Sequence, residues 1–316
     1  MQAVRYHDHG GPEVLGVEET ERPEAGDDEV VVAVRAAAVN PVDTYFREGS
    51  YRALGLPMVP GSDLAGVVTE TDGEVGFEVG DRVFATGLGK AHQGTYAEYA
   101  AVPTDRLARL PEGVDFDVGS ATALVGVTAW RALVDHARLE PGETCLIHGA
   151  SGGVGHVAVQ LAAATGAHVL ATASPDYHDE IHDLGASEVF DYDDADLREQ
   201  VAEHEPTVIL DHRLDDYLSF DAEVAGFGAR VVGIGENSKE AGFENVSAAR
   251  ANEFSLHLMS MFNTPEMAPV LARLATLMGA GSLSATVARR YGLDEAGEAQ
   301  RAVMEESFLG KLVIEP

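Results

Sequence analysis

Five short apolar runs, at residues 144–148, 168–173, 187–191, 207–211 and 229–234, are separated by helix-length stretches. This alternation constrains the fold more than any other feature. It predicts βαβ units and a parallel sheet with helices over both faces, because crossover connections leave no sheet face open to water. The 316-residue chain has material for more than that sheet. Residues 29–39, 65–71 and 80–86 are apolar, partly Val-rich runs closed by Gly or Asp, and the chain before about residue 110 shows little helical periodicity, so it reads as β-rich. Residues 118–137 have helix-like spacing, and the tail reads as helices near 266–278 and 294–308 with a last strand at 311–315. The expected organisation is a β-rich domain over 1–119, an α/β domain over 120–262, and a segment, 263–316, that returns to the first domain.

Inside the alternation stands "TCLIHGASGGVGHVAVQLA". Leu146 and Ile147 run as a strand into Gly149, then Gly152, Gly153 and Gly155 follow. Val154, Val157, Ala158, Leu161 and Ala162 form one apolar face of a helix. Glycines between a strand and a helix are the context of a dinucleotide fingerprint. Gly152 lets backbone approach a pyrophosphate, Gly155 lets helix pack on strand, and free N–H groups at the helix start point at phosphate. Ser151, Gly152, Gly153 and Val154 are thus candidate cofactor contacts. Ala150 stands where the G-x-G-x-x-G pattern has its first Gly, and a purely structural turn is the competing reading. The second strand ends in Ala173 and Ser174, with no acid at its tip, which leaves room for a 2′-phosphate and leans to NADP(H). Ser174 could equally cap the next helix.

Charge sets the remaining bounds. Against 53 Asp and Glu stand 21 Lys and Arg, a net charge of −32, and only Lys90, Lys239 and Lys311 are lysines. The acids are spread along the chain. Such a surface repels itself in dilute salt, and a Debye length of about 3 Å in molar salt screens the repulsion. A cytosol of very high ionic strength, as in a salt-loving microbe, is expected. The same charge argues against nucleic-acid and anionic-membrane partners. Cys145 is the only cysteine, so neither an intrachain disulfide nor a Cys-based zinc site is expected. The start "MQAVRYHDHGG" has no signal-peptide core and no run of 18 apolar residues occurs, so a soluble cytoplasmic protein is expected.

The motifs "GGPEVL" (10–15), "VNPVDTYFREGSY" (39–51), "PMVPGSDLAGVV" (57–68), "GTYAEYA" (94–100), "GVTAWRAL" (126–133), "HGASGGVG" (148–155) and "GKLVI" (310–314) extend nearly end to end. With them the chain resembles the zeta-crystallin-like quinone oxidoreductases, zinc-free members of the medium-chain dehydrogenase/reductase superfamily. The resemblance implies an α/β architecture: a Rossmann-type doubly wound parallel sheet plus a GroES-like β-rich catalytic domain. It implies a hydride passed from NADPH, with NADH possible, to a quinone or electron-poor enone, by a homodimer or homotetramer. Reduction of the C=C bond of 2-alkenals or enoyl thioesters, or zinc-free alcohol oxidation, are the alternatives. A non-enzymatic crystallin-like or RNA-binding role is the remaining alternative, and the net charge of −32 argues against RNA binding.

The resemblance also implies residue roles. Asn40 would lie beside the nicotinamide ribose and carboxamide, where the competing reading is an Asn closing a turn. Tyr45 and Tyr51 would line the substrate cleft, where packing alone is the alternative. Thr128, Tyr192, Gly235, Phe262, Asn263 and Lys311 match cofactor-side positions; Thr128 could simply bond its own helix, and Lys311 could be a strand-edge charge. Zinc-dependent relatives carry a His-Glu pair in the segment matching "PGSDLAG". Here Ser62 and Asp63 stand there, so no catalytic metal is expected. NADP(H) members often have a Lys after the second strand; Tyr177 stands here, among Asp176, Asp179 and Glu180, which leaves the cofactor choice open. No dedicated proton donor is evident.

Overall fold

A computed structural model describes residues 1–73 and 76–316. Along the chain run β1 (Gln2–Arg5), β2 (Gly16–Glu19), β3 (Glu29–Ala38), α1 (Pro41–Glu48), β4 (Leu64–Thr71), β5 (Arg82–Ala85), β6 (Tyr99–Pro103), β7 (Leu107–Arg109) and α2 (Phe116–Trp130). There follow β8 (Thr144–Ile147), α3 (Gly153–Thr165), β9 (His168–Ala173), α4 (His178–Asp183), β10 (Glu188–Asp191), α5 (Leu197–Ala202), β11 (Val208–Asp211), α6 (Leu214–Val224), β12 (Arg230–Gly233), α7 (Val246–Ala251) and β13 (Ser255–Leu258). The tail holds α8 (Ala268–Gly279), β14 (Val287–Gly292), α9 (Ala296–Glu305) and β15 (Lys311–Glu315). The chain divides into two compact units, one of residues 1–127 with 265–316 and one of residues 128–264. Because α2 is one continuous helix, the break expected at 119/120 falls inside it.

The first unit is built on a largely antiparallel sheet of order β14-β15-β3-β4-β5-β7, with β6 also paired to β3. Alternation along β3 sends Val30, Val32 and Val34 into the core beside Leu64, Val83, Leu107 and Ile314. The α9 alanines 296, 299 and 302, at helical spacing, join the same core. The tail is locked in by β15, which pairs antiparallel with β3 at Val313↔Ala38 and Ile314↔Ala37. Helix α1 starts at Asn40 in a capping box with Asp43, has Pro41 in its first turn and ends at Gly49 in the left-handed region.

The second unit is a six-stranded sheet of order β10-β9-β8-β11-β12-β13, parallel throughout. The order reverses between β8 and β11, which is the doubly wound 3-2-1-4-5-6 arrangement and its topological switch point. Leu146, Leu170, Ile209 and Val231, from four neighbouring strands, share one apolar cluster. No described helix is long and apolar enough to cross a membrane.

Candidate active site

The glycine turn joins β8 to α3 at the switch point. Gly149 takes a left-handed φ of 63°, and a Cβ there would stand 2.6 Å from the His212 ring. At Gly155 a Cβ would meet the Gly149 carbonyl oxygen at 2.2 Å, so the missing side chain lets the helix seat on the turn. Gly152 is extended and starts α3 without a side-chain cap. The first-turn N–H groups at Gly153 and Val154 therefore have neither an intrahelical acceptor nor a capping side chain. Ser151, Gly152, Gly153 and Val154 are all part-exposed. An uncapped helix start behind a collar without side chains fits the phosphates of a dinucleotide.

The other expected cofactor residues of this unit follow carboxyl ends of the same sheet. Ser174 follows β9 and stands at the N-cap position of the short turn Pro175–Tyr177, with no capping hydrogen bond from its hydroxyl. Tyr192 follows β10 and is half-exposed. Gly235 follows β12; its carbonyl accepts from the Leu214 N–H at 3.1 Å, and a Cβ there would stand 2.7 Å from the His212 carbonyl oxygen. Phe262 and Asn263 lie in the single turn Met261–Asn263 beyond β13. Ligands of open α/β sheets bind at the strand carboxyl ends. Thr128 is buried in α2.

Beneath the glycine turn lies a polar cluster that sequence reading missed. His148, Asp211 and Asp221 are fully or almost fully buried. His148 Nε2 is 2.9 Å from Asp221 Oδ1, and its Nδ1 is 3.3 Å from the Thr172 hydroxyl, whose oxygen accepts from the Gly149 N–H at 3.2 Å. The His148 ring stacks on Tyr217 at 4.3 Å. Burial pushes the Asp211 carboxyl up to about 7, helped by the Asp221 charge, and Asp221 itself well above the carboxylate range. Burial holds His148 down at about 4, so the imidazole is neutral at pH 7. The only visible signal was a His and an Asp closing neighbouring apolar runs, in "LIHG" and "ILDH".

In the first unit the expected residues fall into two groups. Tyr45 and Tyr51 pack as a ring pair, 5.2 Å between centroids, and the Tyr51 N–H donates to the Tyr45 carbonyl at 3.1 Å. Tyr51 is 47% exposed. Asn40, 1% exposed, has both ends of its amide engaged. Its Oδ1 accepts from Lys311 Nζ at 2.5 Å, and its Nδ2 donates to Asp63 Oδ2 at 2.9 Å and to the Ala38 carbonyl at 3.3 Å. Lys311 is buried on β15, between β14 and β3, which corrects the strand-edge reading. Asp43 accepts from the Asn40 N–H at 2.9 Å, Ser62 Oγ at 2.7 Å and the Tyr96 hydroxyl at 3.0 Å.

Asp43 and Tyr96 were not expected. The Asn-x-x-Asp spacing of a capping box was the signal for Asp43. Burial pushes Asp63 up to about 7 against the pull of Lys311, and raises Asp43; burial also lowers Lys311. Around Ser62 and Asp63 the donors are carboxylates, hydroxyls and an amide, with an ammonium already supplying positive charge. That set does not fit zinc, which takes His and Cys nitrogen and sulfur with few carboxylates.

Residues 26–112 match the alcohol dehydrogenase GroES-like domain family, and residues 184–314 the zinc-binding dehydrogenase family. The Homo sapiens quinone oxidoreductase is 35% identical over 325 residues, spanning 99% of this chain and 97% of that protein. Among solved structures, an NAD-dependent alcohol dehydrogenase superposes with a TM-score of 0.92 at 29% identity, covering 100% of both chains. The Escherichia coli quinone oxidoreductase complexed with NADPH does so with a TM-score of 0.89 at 26% identity, covering 100% of both.

Proposed function

The chain belongs to the quinone oxidoreductase family of the medium-chain dehydrogenase/reductase superfamily, and from that membership we propose that it moves a hydride from NADPH to a quinone or electron-poor enone. The observation that carries this reading is full-length identity of 35% to a quinone oxidoreductase. The uncapped glycine turn supports it. The second unit acts as the cofactor domain: the N–H groups of Gly153 and Val154 hold the diphosphate, with Ser151 and Gly152 beside it. Ser174 and Tyr192 face the adenosine end. Thr128, Gly235, Phe262 and Asn263 position the nicotinamide half.

The first unit acts as the catalytic domain. The nicotinamide supplies the hydride, so these residues need orient rather than react. Asn40 and Lys311 fix the floor of the site, and the Tyr45–Tyr51 pair offers ring faces and hydroxyls to a planar acceptor. A quinone that gains a hydride and one proton becomes a hydroquinone, and water supplies the proton. NADH is a second donor in this reading, because Asp176, Asp179 and Glu180 surround Tyr177 near the end of β9 and disfavour a 2′-phosphate. The protein works in the cytoplasm as a homodimer or homotetramer.

Stopped-flow oxidation of NADPH and NADH in molar KCl against 1,4-benzoquinone, 9,10-phenanthrenequinone and a 2-alkenal tests this. Quinone turnover above that of the alkenal is expected. Turnover confined to alkenals moves the assignment to C=C reduction. Alcohol oxidation with NAD(P)+ and no quinone turnover moves it to the alcohol dehydrogenases, the type of the 0.92 TM-score neighbour.

A further inference from the structure

We propose that His168, Glu188 and His204 form a binding site for a divalent transition-metal ion. His168 opens β9 and Glu188 opens β10, the adjacent parallel strand. His204 follows α5, its N–H donating to the Val201 carbonyl at 3.1 Å. His168 Nε2 lies 3.6 Å from Glu188 Oε1, and His204 Nε2 lies 3.4 Å from Glu188 Oε2. One ligand atom from each of the three lies within 4.8 Å of the others. A tetrahedral ion with bonds of about 2.0–2.1 Å sets its ligand atoms roughly 3.3–3.4 Å apart. The two nitrogen–oxygen separations are already close to that spacing.

The chemistry narrows the ligand. Two imidazole nitrogens and one carboxylate suit zinc, nickel, cobalt or copper, whereas magnesium and calcium take oxygen donors. The imidazole rings are 5.8 Å apart and face a single carboxylate. Protonating both rings would place two cations beside one anion, while one dication binds all three neutral or anionic groups at once. The scaffold is firm. The His168 N–H donates to the Glu143 carbonyl at 2.8 Å, and Glu188 pairs with Leu170 in the ladder. His168 and Glu188 side chains are each 43% exposed, so an ion can enter and keep water in its open positions. The site lies at the amino ends of β9 and β10, whereas the glycine turn leaves the carboxyl end of β8. A bound ion would therefore tie two strand starts to the segment before β11 and leave the reaction untouched.

The test uses Zn²⁺ and Co²⁺ as probes on the full chain in molar KCl, which screens diffuse binding to the acidic surface. Equilibrium dialysis and the visible Co²⁺ spectrum should show one saturable equivalent per chain, and Zn²⁺ should raise the melting temperature while Mg²⁺ does not. His168→Gln and His204→Gln should each weaken binding by at least about tenfold. Reductase activity without added metal should be unchanged in both. The absence of a saturable equivalent, or an equivalent that survives in the double variant, overturns the proposal. Neither result depends on which electron acceptor the enzyme uses.

Discussion

Lys311 and Asn40 stand 271 positions apart in the chain, yet the Lys311 ammonium donates to Asn40 Oδ1 at 2.5 Å, and to the neighbouring Val39 carbonyl at 2.6 Å. Pairing of β15 with β3 creates this contact, and it places the only buried ammonium among the described residues beside Asp63 and Asp43. The last strand therefore does more than complete a sheet. It supplies the charge that lets the residues around the start of α1 be buried.

Removing that charge should be costly. Lys311→Met keeps most of the volume but leaves Asp63 and Asp43 without their cation and Asn40 Oδ1 without its donor. Breaking a buried pair from one side costs about 3–5 kcal/mol. Urea unfolding in molar KCl should show a loss in that range. A loss below about 1 kcal/mol would mean that the ammonium is not needed to hold this network.

Asp63 should also write a pH dependence into stability. Burial holds its carboxyl at about 7, above the ordinary 3.8. Between those values the folded protein binds more protons than the unfolded chain, so stability falls as pH rises through the window and is flat outside it. Asp211, also near 7, acts in the same direction, while His148 and His212, held near 4, act oppositely between about pH 4 and 6.5. The difference between wild type and Asp63→Asn isolates one group. The variant should gain on wild type from pH 5 to pH 8, by about 3 kcal/mol at most. Parallel urea curves at all pH values would show that Asp63 is ionised throughout.

Two glycines at the start of the same helix, Gly152 and Gly155, should separate binding from folding. A Cβ at Gly155 meets backbone, at 2.2 Å from Gly149 O and 2.7 Å from Ala150 Cα, so Gly155→Ala must push the helix off the turn. A stability loss of about 1–3 kcal/mol is expected. At Gly152 the backbone has φ −70°, which alanine adopts, and the nearest atom is 3.3 Å away. Gly152→Ala should leave the melting temperature within about 2 °C and raise KM for NADPH about tenfold or more, because the methyl group stands where a phosphate would approach. Equal stability losses in both variants would show that Gly152 serves only the turn.

The contrast between what the sequence told and what it hid follows from range. Apolar runs and turn glycines are local signals, so the strands at 144–148, 168–173 and 207–211 and the helix behind Gly152 were legible. The sixth strand, Ser255–Leu258, was not, because it is a partly exposed edge strand without an apolar run. The polar networks were invisible for the opposite reason. Lys311, Asn40 and Asp63 meet only through strand pairing, while His148 and Asp211 are brought together by β8 and β11 and Asp221 reaches His148 from α6 packed on the sheet. Asp43 alone carried a local mark, three residues after Asn40.

Tyr51 should orient the acceptor, since its exposed ring packs on Tyr45 at 5.2 Å. Tyr51→Phe keeps the ring and loses one hydroxyl, so kcat should fall less than about tenfold, with a higher KM for the quinone and an unchanged pH profile. Steady-state kinetics from pH 6 to 9 decide this. Loss of turnover together with a shifted profile would make Tyr51 a proton donor instead.

Salt should act on both stability and cofactor choice. The net charge of −32 resides on a surface with 53 acids against 21 bases, and the ion pairs at Arg5–Glu18 and Arg289–Glu306 neutralise few of them. At 0.1 M salt the Debye length is about 10 Å, so neighbouring acids repel; in molar salt it is about 3 Å. The melting temperature should rise by about 10 °C or more between 0.1 M and 3 M KCl. Asp176, Asp179 and Glu180 are exposed near Tyr177, so the same screening should favour the 2′-phosphate. KM for NADPH should therefore fall more steeply with KCl than KM for NADH, because only NADPH brings a dianion to that end of β9. Melting curves flat across the KCl series would remove the high-salt cytosol from the account. Parallel KM trends would place the 2′-phosphate away from those acids.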